Sequence, residues 1–326
     1  MGIQRSVVKQ FSKLLAVLVC CFIFVSKIGN ASQSSPHYLM GTLGDSISVA
    51  FMADTSLKDY DKYQNFHYIP NLIDLNPSTT DSVMLIDNRW TLSWSSGNQI
   101  ASHYMFMNWY LNRTEPRAKL DVQNFAMTGS ITYDVIAQAD KLVAAAASTI
   151  NGVKKYDSLK YVTLLIGAND ACKQISNSIM RTSLLEVFKR LSQIKQTESI
   201  KILVSGMPRI PDVGLPEVQY HKTFGGMTCH FLQSTITHAC QGLTSWASGN
   251  DYADKLKYTI EKNAVIEATV AEARVKFAPS LDIFFSGKVF NGVVTPDDLA
   301  IECFHPNARA QEQLSKALWS EIPWFR

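Results

Sequence analysis

Short apolar runs alternate with longer stretches of helical spacing along most of this chain. His37-Tyr38-Leu39-Met40 is the first run, and residues 120–125 are the second. Residues 161–166 (Tyr-Val-Thr-Leu-Leu-Ile) form the strongest, being continuous, β-rich and closed by Gly167. Residues 200–204 and 281–285 supply two more. Between them lie helical patterns. Residues 134–149 are rich in alanine, and 178–194 place Leu184, Leu185, Val187, Phe188, Leu191 and Ile194 at helical spacing. Residues 252–276 are long and amphipathic, and 308–319 close the pattern. Strands alternating with helices predict βαβ units and a mainly parallel sheet of about five strands, covered on both faces. Ligands bind such sheets beyond the carboxyl ends of the strands.

Two stretches break the alternation. Residues 53–117 are polar and aromatic, with Trp90, Trp94 and Trp109. Residues 210–249 are rich in Gly, His and Thr and hold two cysteines. Segments of this length with weak periodicity are usually functional or disordered. Both read as insertions over the rim of one domain spanning residues 32–326.

Residues 1–31 read as a secretory signal peptide. Arg5, Lys9 and Lys13 precede an apolar run, residues 14–25, and Gly29-Asn30-Ala31 offers a cleavage site after Ala31. That run is short of the roughly 20 residues that span a membrane. The expected location is therefore secreted, periplasmic or otherwise extracytoplasmic. Losing Arg5, Lys9, Lys13 and Lys27 turns the formal charge of +3 into −1. Nucleic acid is accordingly not an expected partner. Four cysteines remain: Cys172, Cys229, Cys240 and Cys303. In an exported chain an even count favours disulfides, and four cysteines allow three pairings. Cys229 with Cys240 closes a small loop, while Cys172 with Cys303 ties two of the segments described next. No C-x-x-C pair supports zinc.

Four segments carry the candidate chemistry: Gly44-Asp45-Ser46-Ile47-Ser48, Asn124-Phe125-Ala126-Met127-Thr128-Gly129, Gly167-Ala168-Asn169-Asp170 and Glu302-Cys303-Phe304-His305. Three lie at or just past strand ends. A serine hydroxyl needs a base before it attacks a carbonyl. Of the seven histidines (His37, His67, His103, His221, His230, His238 and His305), only His305 has an acid three residues before it. Glu302 there can reach the imidazole and fix its tautomer. The Ser46 and Gly129 backbone N–H groups and the Asn169 amide are the donors an oxyanion requires. Taken singly, Gly129 reads as an ordinary turn glycine and Asn169-Asp170 as a helix cap. Order and placement make them one site. A G-x-S-x-G elbow, a Walker A sequence, H-E-x-x-H and G-x-G-x-x-G are all missing.

These four blocks resemble the SGNH, or GDSL, hydrolase superfamily, whose Ser, Gly, Asn and His fall here on Ser46, Gly129, Asn169 and His305. Thr91-Leu92-Ser93-Trp94-Ser95-Ser96-Gly97 and Glu-Cys-Phe-His-Pro look most like its phospholipase B-like branch. The resemblance spans roughly residues 38–320. It implies a flavodoxin-like, three-layer α/β/α fold and an acyl-enzyme mechanism without cofactor or metal. Ser46 is then the nucleophile and His305 the base. The chain departs from the family at Glu302, where an aspartate is usual; Asp297 and Asp298 are the alternative acids. The branch implies acyl esters or phospholipids as substrates, met by a monomer at a membrane surface. Aromatic residues of the first insertion read first as core, with an acyl-pocket lining or contact with lipid as the alternative. The same fold also hosts carbohydrate deacetylases and thioesterases, and a catalytically silent surface-binding module is a further alternative.

Overall fold

Five strands make one sheet in the order β2-β1-β3-β4-β5, each parallel to its neighbours. They are β1 (His37–Gly44), β2 (Lys119–Asn124), β3 (Ser158–Leu165), β4 (Ile200–Ser205) and β5 (Leu281–Ser286). The computed structural model describes residues 35–63, 88–245 and 249–325. The signal-peptide reading, His67 and part of the first insertion lie outside the described residues. The described residues from His37 onward form one compact unit. Among the described residues, no helix is long and apolar enough to cross a membrane.

Parallel neighbours need a crossover, normally a helix. Among the described residues the long helices are α1 (His103–Thr114), α2 (Val135–Ala146), α3 (Asn177–Ser192), α4 (Gly249–Lys276) and α5 (Ala308–Trp319). Side-chain caps start three of them. Ser102, Ser176 and Asn307 accept hydrogen bonds from the N–H groups of Met105, Ile179 and Ala310. Side chains alternate across the strands, so each face of the sheet acquires its own core. Leu39, Leu43, Val162, Leu164, Ile202 and Ile283 pack with α2, α3 and α4. Tyr38, Met40, Tyr161, Leu165 and Leu203 pack with α1 and α5. The result is the expected three-layer α/β/α architecture with the flavodoxin order. In that order the crevice lies where connections from neighbouring strands diverge, between β1 and β3.

Two differences from the sequence reading have physical causes. β1 extends to Gly44, past the predicted residue 40, because Gly41 is a packing position: a Cβ there would lie 2.5 Å from the Leu142 side chain on α2. The stretch read as a first insertion contains α1, the crossover from β1 to β2. Its buried residues are His103, Met107 and Leu111, a narrow stripe, while Met105 and Trp109 are exposed. That pattern is too weakly amphipathic to read as a helix from sequence.

The second insertion is a chain of short helical turns between Ile210 and Thr244. Its cysteines pair in neither of the ways singled out above: the bridges are Cys172–Cys240 and Cys229–Cys303. One bridge fastens the insertion to the Asn169 segment, and the other to the His305 segment. Each spans about 70 residues, a loop whose closure is worth about 4 kcal/mol. Reduction should therefore lower the melting temperature by roughly 10–20 °C. Thiol titration in denaturant should find these four sulfurs only after reduction. Four thiols titrating without a reductant would contradict the pairing.

Candidate active site

β1 ends in a turn that only glycine can make. Gly44 has φ +142°, and a Cβ on it would fall 2.3 Å from the carbonyl oxygen of Leu165. The chain then enters a one-turn helix, Ser46–Val49, capped by Asp45, whose Oδ1 accepts the Ile47 N–H at 3.0 Å. Surrounding side chains hold the turn by its carbonyls. Gln311 Nε2 donates to Ile47 O at 2.9 Å; Ser93 Oγ and Asn124 Nδ2 each donate to Ser48 O at 2.8 Å. Ser93 belongs to the Thr-Leu-Ser-Trp-Ser-Ser-Gly stretch, so that stretch buttresses the Ser46 turn. Ser46 is left at the end of the strand, 6% exposed.

His305 arrives from the loop between β5 and α5. Its Nε2 lies 2.8 Å from Ser46 Oγ. The rings of Phe51 and Phe304 meet the imidazole edge-on, with centroids 4.9 and 5.0 Å away. The loop is a tight turn: Ala300 N–H donates to His305 O at 2.8 Å, Cys303 has φ +67°, and the Cys303 bridge anchors it. Glu302 folds back inside this turn. Its Oε1 accepts the His305 backbone N–H at 2.7 Å and stands 3.3 Å from Nδ1. The second contact is not a hydrogen bond, and Nδ1 is buried with no hydrogen-bond partner. Glu302 thus faces the imidazole as a nearly buried carboxyl group, 5% exposed. The alternative acids turn elsewhere. Asp298 accepts from Thr295 N–H and Oγ1, and Asp297 pairs with Arg309 at 3.4 Å.

The other two blocks meet beside this dyad. Gly129 has φ +78° and open space where a side chain would be. Asn169 lies in the turn Ala168–Cys172 that follows β3, and its Nδ2 donates to Ser130 O at 3.0 Å. That turn has no side-chain cap, so Asn169 and Asp170 are not the capping pair they resemble in sequence. Asp170 is buried and accepts from Thr132 N–H and, at 2.6 Å, from Thr132 Oγ1. It bolts the Asn169 turn to the Gly129 segment; burial raises its carboxyl pKa.

Asp45 has the most unusual environment of the site's carboxylates. Burial raises its pKa to about 7, although the Ile47 N–H and the nearby His305 both pull the other way. Its Oδ2 is buried without a hydrogen bond. A carboxyl whose folded pKa exceeds its unfolded value stabilises the fold fully below the unfolded pKa, and that contribution is lost as pH rises through the folded one. For Asp45 the window runs from about 4 to about 7. In Asp45→Asn the acceptor for Ile47 is kept and the buried charge removed. The variant's melting temperature should gain on the unmodified protein as pH rises across that window. A gap that stays constant from pH 4 to 8 would show that Asp45 is not the titrating group.

The other described histidines are engaged elsewhere. His103 is fully buried, with Nδ1 2.7 Å from Tyr161 OH and Nε2 3.1 Å from Ser315 O. Burial lowers its pKa to about 3, so it is a neutral core residue. His37 lies 3.2 Å from Asp121. His221, His230 and His238 bond within the second insertion, to Lys222 O, Gln219 and Gln241.

A cavity of about 240 Å³ opens beside Ser46, Asn169 and His305. Its walls are mainly apolar and include Ile210, Val213, Val289, Val293, Leu299 and Leu314. Two tryptophans of the first insertion do not line it: Trp94 is core, buried against His103, and Trp109 is exposed. The wall comes instead from the start of the second insertion and from residues 288–317.

The family model for GDSL-like lipase/acylhydrolase matches residues 40–318. The chain belongs to this family. No curated protein matches this GDSL hydrolase in sequence. Among solved structures it is similar to TesA, at 13% identity over 88% of this chain and 99% of that one, with a TM-score of 0.47. It is also similar to the acetylxylan esterase Axe2 of Geobacillus stearothermophilus, at 12% identity over 90% and 97%, with a TM-score of 0.45. The psychrotrophic esterase EstA of Pseudoalteromonas sp. matches at 11% identity over 87% and 96%, with a TM-score of 0.43.

Sequence reasoning missed the polar side chains that hold the GDSL hydrolase's blocks together: Ser93, Thr132, Gln138 and Gln311. Ser93 lies in the stretch singled out above without a role assigned to it, and Gln138 alone of the other three carries a signal. It is a lone amide between Val135, Ala139 and Leu142 on the buried stripe of α2.

Proposed function

We propose that this GDSL hydrolase is an exported enzyme that cleaves acyl esters of lipids, phospholipids among them, through an acyl-enzyme on Ser46. The observation that carries the reading is the 2.8 Å contact between Ser46 Oγ and His305 Nε2 at the edge of an apolar cavity. In the first step Ser46 Oγ attacks the ester carbonyl and its proton passes to Nε2. The carbonyl oxygen becomes an oxyanion, met by the Ser46 and Gly129 N–H groups and the Asn169 amide. As the C–O bond breaks, Nε2 returns the proton to the departing alcohol. Water then attacks the acyl-enzyme with the same base, releasing the acid and restoring Ser46. Glu302 holds the imidazole by charge and stabilises its protonated form. Export is supported by the pattern of residues 1–31 and by the pairing of Cys172, Cys229, Cys240 and Cys303, which suits an oxidising compartment.

The cavity favours an acyl chain over an acetyl group. Each methylene buried there contributes about 0.8 kcal/mol, or about fourfold in binding. For p-nitrophenyl esters, kcat/KM should therefore rise from acetate through the medium chains until the cavity is full. Mixed phospholipids should release fatty acid and lysophospholipid with the unmodified protein but not with Ser46→Ala. Best activity on acetate or acetylated xylan, with no phospholipid product, would replace the lipid reading with carbohydrate deacetylation.

Asn169→Ala tests the oxyanion role. It should lower kcat by about 10²–10³ with less change in KM. An effect mainly on KM would mean that Asn169 binds the substrate's ground state.

A further inference from the structure

Gly44 stands at the end of β1 with one side of its backbone unpaired by strand. The β1–β2 ladder stops at Thr42 opposite Asn124, two residues earlier. Gln138, reaching from α2, fills the gap together with Met127, whose N–H donates to Gly44 O at 3.2 Å. Its Oε1 accepts the Gly44 N–H at 2.8 Å, and its Nε2 donates to Gly44 O at 2.9 Å. A primary amide carries the same donor and acceptor as a peptide, so Gln138 acts as one further rung of the sheet. The same Nε2 also donates to Ser130 Oγ at 3.1 Å. Ser130 follows Gly129, and its carbonyl receives the Asn169 amide at 3.0 Å. The side chain is 1% exposed. All three groups assigned to the oxyanion thus lie within two residues of an atom bonded to Gln138, or on an atom bonded to Ser130.

We infer that Gln138 is a positioning residue that sets the spacing between the nucleophile turn and the oxyanion donors. The inference rests on the acyl-enzyme reading. Donors stabilise an oxyanion only within about 2.7–3.1 Å of it, and a misplacement of about 1 Å costs about 10² in rate. A glutamine that fixes two loops at once therefore acts on the transition state while leaving the acyl cavity unaltered.

Gln138→Met keeps the length of the side chain and removes its hydrogen bonds. Ser130→Ala keeps the clamp on Gly44 and removes only the link to the oxyanion segment. Three quantities separate positioning from mere support: kcat, KM, and affinity for an alkyl boronic acid, which mimics the tetrahedral intermediate at Ser46. Gln138→Met should lose about 10–100-fold in kcat with KM within about threefold. Boronic acid affinity should weaken by about the same factor as kcat/KM. Ser130→Ala should show the same signature at about three- to tenfold. Thermal melts identify a variant that has not folded; if Gln138→Met does not fold, Ser130→Ala decides. A folded variant with unchanged kcat, or a loss carried by KM with unchanged boronic acid affinity, overturns the inference. An unmodified protein that neither hydrolyses esters nor binds the boronic acid would instead overturn the acyl-enzyme reading beneath it.

Discussion

Ser46→Ala should lower ester turnover by about 10⁶ while leaving the fold intact. The hydroxyl is the only atom lost, and it lies at the mouth of a turn held by other groups. Gln311, Ser93 and Asn124 grip the Ile47 and Ser48 carbonyls, and Asp45 caps Ile47. None of these bonds passes through Ser46 Oγ. Circular dichroism and thermal melts should therefore match the unmodified protein. Turnover within tenfold of that protein would show that another group does the chemistry.

His305→Ala should be as damaging, by about 10⁶, because in a serine hydrolase the nucleophile and its base act as a unit. Adding Ser46→Ala to it should cost almost nothing further. If the two losses multiplied, Ser46 and His305 would be acting separately despite their 2.8 Å contact. Glu302→Gln belongs to the same unit at one remove. The amide oxygen can still accept the His305 N–H, so the turn survives, but the charge 3.3 Å from Nδ1 disappears. A loss of about 10²–10⁴ in kcat/KM is expected. Glu302→Asp keeps the charge on a shorter arm and should lose less. Near-normal activity in Glu302→Gln would remove it from the triad.

Much of this architecture is legible in the sequence, and the reasons are local. Residues 161–166 read as a central strand because both of its faces are buried, which leaves an unbroken apolar run. Residues 308–319 read as a helix with its observed bounds because Asn307 caps it and its apolar stripe is clear. His305 stood out among seven histidines because Glu302 precedes it by one turn, and the fold makes that turn. What escaped depends on contacts between distant segments. α1 hides its stripe, since only every fourth residue is buried. The cysteine pairing follows from how the second insertion lies across two loops, which spacing cannot encode. The cavity walls come from residues 208–213 and 288–317, joined only by the fold. The buried amides and hydroxyls that hold the four blocks in register are ordinary polar residues until their partners are known.

A fluorophosphonate offers the most direct test of serine-based ester hydrolysis, because it traps the activated hydroxyl itself. The purified protein should take up one phosphonyl group, and peptide mass mapping should place it on Ser46. Ser46→Ala should take up none, and His305→Ala should react far more slowly. A phosphonyl group on a different residue, or none on a protein that hydrolyses esters, would contradict the assignment of Ser46 as nucleophile.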